Sequence, residues 1–311
     1  MSVTSSPAPP TVSKRETTPR RRAARSGLLH YGYWWWTLPA LVLTGTVIYL
    51  ATGAGAFYAF TNWSGIGPFS FVGVSNFAKV FQTPQLFQAL TNTLLLAVGF
   101  VLFSNLIGLL FALALNRTLK TRYLLRTLIF MPVVLSPVAV SYIWKFIFAY
   151  NGSLNQILGD IGLRSLRHDW LAVPHLALGC VLVVMVWQNI GFVSVVYLAG
   201  LATVPGELEE AAAIDGAGSW RRFRRITLPL IQPSLAIATT LTLIQGLRVF
   251  DQVMALTGGS PDNATQTLAT EIYQQTFTYQ EFGFGAAMAL MLSAVILIFT
   301  IAQLALTRDR T

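Results

Sequence analysis

Glu207-Leu-Glu-Glu-Ala-Ala-Ala-Ile-Asp-Gly-Ala-Gly-Ser-Trp-Arg-Arg-Phe-Arg-Arg-Ile-Thr-Leu-Pro229 is a polar island in an otherwise apolar chain. It holds four of the twelve acidic residues and four of the twenty-one basic ones. Apolar stretches long enough to be membrane helices flank it, so the island must sit in water, where it reads as a docking surface. Glu209, Glu210 and Ala211 to Ala213 are strong helix formers, and acidic residues in a first turn suit the helix dipole. Asp215-Gly216 is a turn signal. Ser219 is expected to cap a second helix, on which Trp220, Phe223 and Ile226 form one apolar stripe at spacing three. The four arginines take the other faces. Pro229 is expected to break the chain before the next span. Small alanines on the first helix admit a partner backbone, and the aromatic stripe suits helix-in-groove recognition.

Working outward, the 311 residues are 54% hydrophobic and 11% charged. A soluble domain carries about 25% charged residues, so the composition indicates a membrane protein. Spans need about 20 apolar residues. Six stretches qualify: Trp36–Phe60, Leu90–Leu115, Leu124–Phe148, Pro174–Leu201, Leu230–Leu247 and Phe284–Leu306. The fifth is the shortest, since Gln245 and Arg248 end it early. The expected fold class is all-α, a polytopic membrane bundle of six transmembrane helices. The net charge of +9 is not a nucleic-acid signal, because of where the charge lies. Sixteen of the twenty-one basic residues precede span one, follow span two, lie in the island or follow span six. Lys79, Lys145, Arg164, Arg167 and Arg248 make up the other side. The positive-inside rule then puts both termini and the island in the cytoplasm.

Residues 1–32 are read as a disordered basic tail, since Ser, Pro, Thr and Arg cannot build a core. Tyr31, Tyr33 and Trp34 to Trp36 form an aromatic belt at the membrane entry. Cys180, the one cysteine, is read as a small apolar core residue. His30, His168 and His175 have no ligand spacing, and His168 and His175 are expected near the outer surface. Ser75 is expected to cap a short amphipathic helix in the first outer loop. No catalytic constellation and no metal site is present, and there is no Walker A sequence with which the chain itself would bind ATP.

The island resembles the EAA loop of binding-protein-dependent ABC importer permeases. The matching residues are Glu210-Ala211-Ala212, Asp215-Gly216-Ala217, Trp220, Phe223, Ile226, Leu228-Pro229 and Pro233. Phe250-Asp251, Leu256-Thr-Gly-Gly-Ser-Pro261, Thr267-Leu268, Ile272-Tyr273, Phe277 and Gly283-Phe-Gly-Ala-Ala287 resemble the matching run of carbohydrate-uptake permeases, the maltose-type branch. Ser260 departs from that pattern, which has a third glycine there. The resemblance implies one transmembrane domain over 33–311, with a coupling loop at 203–229. It implies a permease subunit that passes a sugar, an oligosaccharide or related polyol or glycerol phosphate, through the bacterial cytoplasmic membrane. The implied partners are a second, related permease, an ABC ATPase dimer that consumes the ATP and magnesium, and an extracytoplasmic binding protein. Glu210, Ala211, Ala212, Asp215, Gly216, Ala217, Trp220 and Phe223 would carry the ATPase coupling. The competing class is an ion-gradient-driven secondary transporter, but inverted repeats and intramembrane ionisable residues are not evident.

The candidate solute path rests on polar residues in apolar spans. Trp187, Gln188 and Asn189 lie in span four, and amides there are costly unless paired. Two readings stand, helix–helix hydrogen bonding and a polar aromatic surface for a sugar. Both are expected to touch the solute path, but adjacent helical positions point about 100° apart, so at most one of the two amides is expected to face a cavity squarely. Tyr142, Trp144 and Gln245 are candidates for the same cavity. Asp251 is either a solute-facing carboxylate or a structural partner of Arg248. In span three, Pro132 and Pro137 break the backbone ladder, giving either an ordinary kink or a bent helix lining a path.

Overall fold

The computed structural model describes residues 28–116 and 120–308, with side chains from 36 to 305. The tail residues before Leu28, Arg117 and Arg310 lie outside the described residues, as do the side chains of Tyr31, Tyr33, Trp34, Trp35 and Arg308. The chain divides into two units, residues 1–52 and 53–311. In the first, α1 (Leu28–Thr44) passes through Pro39 into a π turn at Gly45–Leu50, and α2 (Ala51–Tyr58) begins at its end and belongs mostly to the second. The first unit's apolar side chains, Leu41, Leu43 and Val47 among them, are exposed, as befits a helix in lipid.

The second unit is an all-α bundle. A short amphipathic helix, α3 (Ser75–Gln82), precedes the long α4 (Pro84–Leu115). Then come α5 (Arg122–Val134), α6 (Pro137–Phe148), α7 (Ser153–Asp160) and the central α8 (Pro174–Leu201). The polar island forms α9 (Gly206–Ile214), α10 (Ser219–Arg222), a π turn at Phe223–Thr227 and α11 (Leu228–Leu230). The chain ends with α12 (Gln232–Leu247), α13 (Asp251–Leu256), α14 (Leu268–Tyr273) and α15 (Phe282–Arg308). Among the described residues four helices are long and apolar enough to cross a membrane, and six spans result if two bent pairs each count as one.

The two bent pairs refine the expected spans. The third span is α5 plus the segment Pro137–Asp160, bent by 99°. Pro132 lies inside α5 without ending it, and the break falls at Leu135–Ser136, both extended, just before Pro137. A proline lacks the N–H that would continue the ladder, and it forces its predecessor out of the helical region. The fifth span bends by 71° between the stretches ending at Leu230 and starting at Gln232. The break was expected at Pro229. It falls at Ile231 instead, because Pro229 starts a new helical turn while Pro233 denies the 229 carbonyl its partner. Two cap expectations fail as well. Ser75 and Ser219 are the first helical residues, Val74 and Gly218 hold the cap positions, and neither cap makes a side-chain bond.

Two cores lie along α4 and α8. One gathers Leu96, Phe100, Val140, Val181, Val184, Met185, Val249 and Val253. The other gathers Ala112, Val193, Tyr197, Ile231 and Ala238. Cys180 is buried in the first, as its type suggested. The opposite face of α4 exposes Leu95, Val98, Leu102, Leu106 and Leu110, the pattern of a helix that is apolar all round. Close backbone approach holds the helices together, as small residues allow in membrane bundles. A Cβ on Gly246 would stand 2.8 Å from the Ala97 Cα, and one on Gly191 only 2.3 Å from the Ile129 carbonyl oxygen. A partly buried polar chain adds to this. Tyr197 donates to Asn105 Oδ1 (2.8 Å), and Asn105 Nδ2 donates to Thr242 Oγ1 (3.0 Å), tying α8, α4 and α12 together.

Candidate functional site

A cavity of about 520 Å³ lies between the third-span elbow and the far end of α12, where the chain leaves that helix for α13. Val133 and Pro137 line it from the third-span elbow, and Phe100 from α4. Met185, Gln188 and Asn189 come from α8, Ile244 and Gln245 from α12, and Arg248 to Gln252 from the break and the start of α13. An apolar wall with a few convergent polar groups is the usual make-up of a small-molecule site, and its volume lies in the roughly 300–1,000 Å³ range of such sites.

Four of the seven sequence-derived path residues line this cavity: Gln188, Asn189, Gln245 and Asp251. Tyr142, Trp144 and Trp187 are not among the lining residues. Tyr142 is more than half exposed, and Trp187 meets Trp144 edge to face at 5.5 Å between ring centroids. Both amides of α8 line the cavity. The lining runs from the third-span elbow round to α13, an arc wide enough to take two adjacent helical positions.

The two amides differ in their bonding. Gln188 is buried, its Nε2 donating to the Leu135 carbonyl at 2.9 Å and its Oε1 accepting from Gln252 Nε2 at 3.2 Å. Asn189 has a buried Nδ2 with no hydrogen-bond partner. An unmade hydrogen bond on a buried donor costs about 1–3 kcal/mol, so this amide is poised for an acceptor that enters the cavity. Arg248 and Asp251 are both exposed on the lining, and among the described residues the one ion pair is Lys79–Glu281. Arg248 closes α12 in a non-helical conformation and Asp251 opens α13, so the break between them keeps the guanidinium and carboxylate from meeting as i, i+3 neighbours. The cavity thus offers a guanidinium, a carboxylate and amides together, a set that donates to and accepts from hydroxyl groups.

The polar island forms a second surface. α9 ends in a Schellman turn: the Gly216 N–H donates to Ala213 O (3.1 Å) and the Ala217 N–H to Ala212 O (2.9 Å). Gly216 takes φ +77°, the left-handed value that glycine accepts without strain. Glu209 clamps the two halves. Its Oε1 accepts from Thr227 Oγ1 (2.8 Å), and its carbonyl accepts from Arg222 Nη1 (3.4 Å). Glu210, Ala211, Asp215, Gly216 and Trp220 are exposed, while Ala212, Ala217 and Phe223 are half-buried. The Trp220 and Phe223 rings lie 5.6 Å apart between centroids, as their spacing of three implied.

Sequence reasoning gave no separate role to Gln252 or Glu209 and treated Arg248 only as a partner for Asp251. An amide immediately after Phe250-Asp251 was the available signal for Gln252. Nothing in the sequence distinguishes Glu209, the clamp, from Glu210 beside it.

Residues 104–311 match a family described as "Binding-protein-dependent transport system inner membrane component". The chain is similar to the "Probable starch degradation products transport system permease protein AmyD" of Thermoanaerobacterium thermosulfurigenes, 31% identical over 91% of this chain and 95% of that protein. It is also similar to the "Multiple sugar-binding transport system permease protein MsmF" of Streptococcus mutans serotype c, 34% identical over 90% of this chain and 96% of that one. Among solved structures it resembles a chain of a bacterial alginate ABC transporter in complex with an alginate pentasaccharide-bound periplasmic protein. There the TM-score is 0.79 at 26% identity, covering 93% of this chain and 98% of the other.

Proposed function

Since the chain belongs to the family of binding-protein-dependent transport system inner membrane components, we propose that it is the membrane-spanning permease subunit of an ATP-driven sugar importer. The observation that carries the reading is the cavity between the two broken spans, where Asn189, Gln245, Arg248 and Asp251 present free polar groups among apolar walls. Such a surface suits a polyhydroxylated solute and would expose few unpaired groups to lipid. The relatives named for starch products and multiple sugars, and the neighbour crystallised with an oligosaccharide-bound periplasmic protein, favour an oligosaccharide or a related polyol or glycerol phosphate.

The permease works with a second permease chain, an ATPase dimer that binds the ATP and magnesium, and an extracytoplasmic binding protein that delivers the sugar. It resides in the cytoplasmic membrane with both termini inside, on the side that carries sixteen of the twenty-one basic residues. The loop at 203–229 docks on the ATPase through Glu210, Ala211, Ala212, Asp215, Gly216, Ala217, Trp220 and Phe223. ATP-driven closure of the ATPases would pull on this loop and swing the spans between inward-open and outward-open arrangements.

The test is uptake into proteoliposomes holding the complete importer, with labelled malto-oligosaccharides and sugar phosphates offered on the binding protein. Uptake should need internal ATP and survive ionophores. Asn189→Ala should raise the half-saturating concentration of loaded binding protein several-fold while the assembled complex is recovered in full. Uptake without ATP that collapses with an ion gradient would overturn the reading in favour of a secondary transporter.

A further inference from the structure

Gln188 joins three elements that all line the cavity. On one side lies the third-span elbow. Leu135 sits at the end of α5 with φ −75° and ψ 145°, so its carbonyl leaves the helical ladder, and Gln188 Nε2 satisfies it. One turn along α8, a Cβ on Gly191 would fall 2.3 Å from the Ile129 carbonyl oxygen and 2.8 Å from the Phe130 Cα. The α5 backbone therefore lies directly on α8 up to the elbow, and α6 departs from there. On the other side lies Gln252, in the first turn of α13, whose amide donates to Gln188 Oε1. Val253, on the next position of α13, is buried in the same core as Val140 of α6 and Val184 of α8. With its donor and acceptor both engaged and its side chain buried, Gln188 has little left to offer a solute. Its neighbour Asn189 has an unused donor.

We propose that Gln188 is a positioning residue for translocation, a three-way link that makes the third-span elbow and α13 move together as the cavity opens and closes. The inference rests on the transport reading above and divides the labour of the two amides: Asn189 meets the solute, and Gln188 sets the walls. An element that only bound sugar would change the concentration dependence of uptake. One that ties moving walls together changes the maximal rate, since each cycle must carry elbow and α13 in register.

The experiment uses the complete importer in proteoliposomes with saturating ATP. Gln188→Met keeps length and bulk but removes both bonds. Gln252→Met removes only the α13 arm. Gln188→Met should lower the maximal uptake rate about tenfold, the scale of two ordinary hydrogen bonds, with the half-saturating concentration of sugar-loaded binding protein within twofold of wild type. Gln252→Met should lower the rate about threefold. The double variant should match Gln188→Met alone, because the side chain of Gln252 acts through Gln188. A raised half-saturation with an unchanged rate, multiplicative losses in the double variant, or unimpaired uptake by both single variants would each overturn the proposal. Should Gln188→Met fail to assemble, Gln252→Met carries the test, and wild-type rates for it would be fatal. Wild-type vesicles that take up no sugar would instead sink the transport reading, a result plainly different from these.

Discussion

Replacing Gly216 isolates the geometry of the polar loop from its chemistry. The residue closes the Schellman turn of α9 at φ +77°, and a Cβ built there meets nothing within 4 Å. Steric clash with neighbours therefore contributes nothing, and the cost of a side chain is purely conformational. A non-glycine residue in the left-handed region costs about 1–2 kcal/mol, asparagine less, and a β-branched residue more. That range corresponds to roughly a 5- to 30-fold drop in the fraction of loops holding the docking shape. Gly216→Ala should thus weaken retention of the ATPase by that factor, Gly216→Val by more, and Gly216→Asn by the least. The assay is titration of purified ATPase onto detergent-solubilised permease complex, with uptake measured in parallel. The ranking Val worse than Ala worse than Asn is the signature of backbone strain. If valine binds the ATPase as tightly as glycine, the left-handed turn has no part in docking. If all three variants lose equally, a partner surface rather than φ excludes the side chain.

Other perturbations test separate parts of the structure. Gly191→Ala would drive a methyl into the Ile129 carbonyl, and overpacking of this kind costs about 1–3 kcal/mol. It should lower the melting temperature of the purified complex, and an unchanged midpoint would show that α5 does not rest on α8 there. Tyr197→Phe removes the bond to Asn105 and leaves that half-buried acceptor short, a loss of about 1 kcal/mol visible in the same melting assay. For topology, single cysteines at Ser5 and Ser260 in a Cys180→Ser background should differ in reach of a membrane-impermeant reagent. Position 260 should label in intact cells, whereas labelling of position 5 would reverse the proposed orientation.

The reasons why some features were legible in the sequence and others were not are physical. The long helices were plain because α4 and α8 are unbroken apolar runs. The third-span bend was visible in Pro137, but the fold alone showed that Pro132 is tolerated inside α5. Pro229 and Pro233 compete for the fifth-span break, and local rules do not rank them without knowing which turn is packed. Ser75 and Ser219 have the chemistry of caps, yet chain geometry placed each one residue too late. In the cavity, Gln188, Asn189, Gln245 and Asp251 stood out as polar residues in apolar surroundings. Gln252 did not, because its position depends on a six-residue helix whose direction only the break at Arg248–Phe250 sets. Tyr142 and Trp187 had suitable chemistry but lie outside the lining, and no helical period indicates where an elbow will send its residues.

The bonds from Thr227 and Arg222 to Glu209 have a consequence for the organism as much as for the molecule. A loop that holds its form through internal bonds loses little freedom when something settles on it, so contact is close to rigid docking rather than folding on arrival. On the proposed reading, a standard plug of this sort makes the motor interchangeable. One ATPase could serve several permeases whose cavities have diverged toward different sugars, provided each keeps the same pre-shaped loop. Sugar specificity could then drift in the membrane helices without any matching change in the ATPase, and a new uptake system would need only a new permease and binding protein.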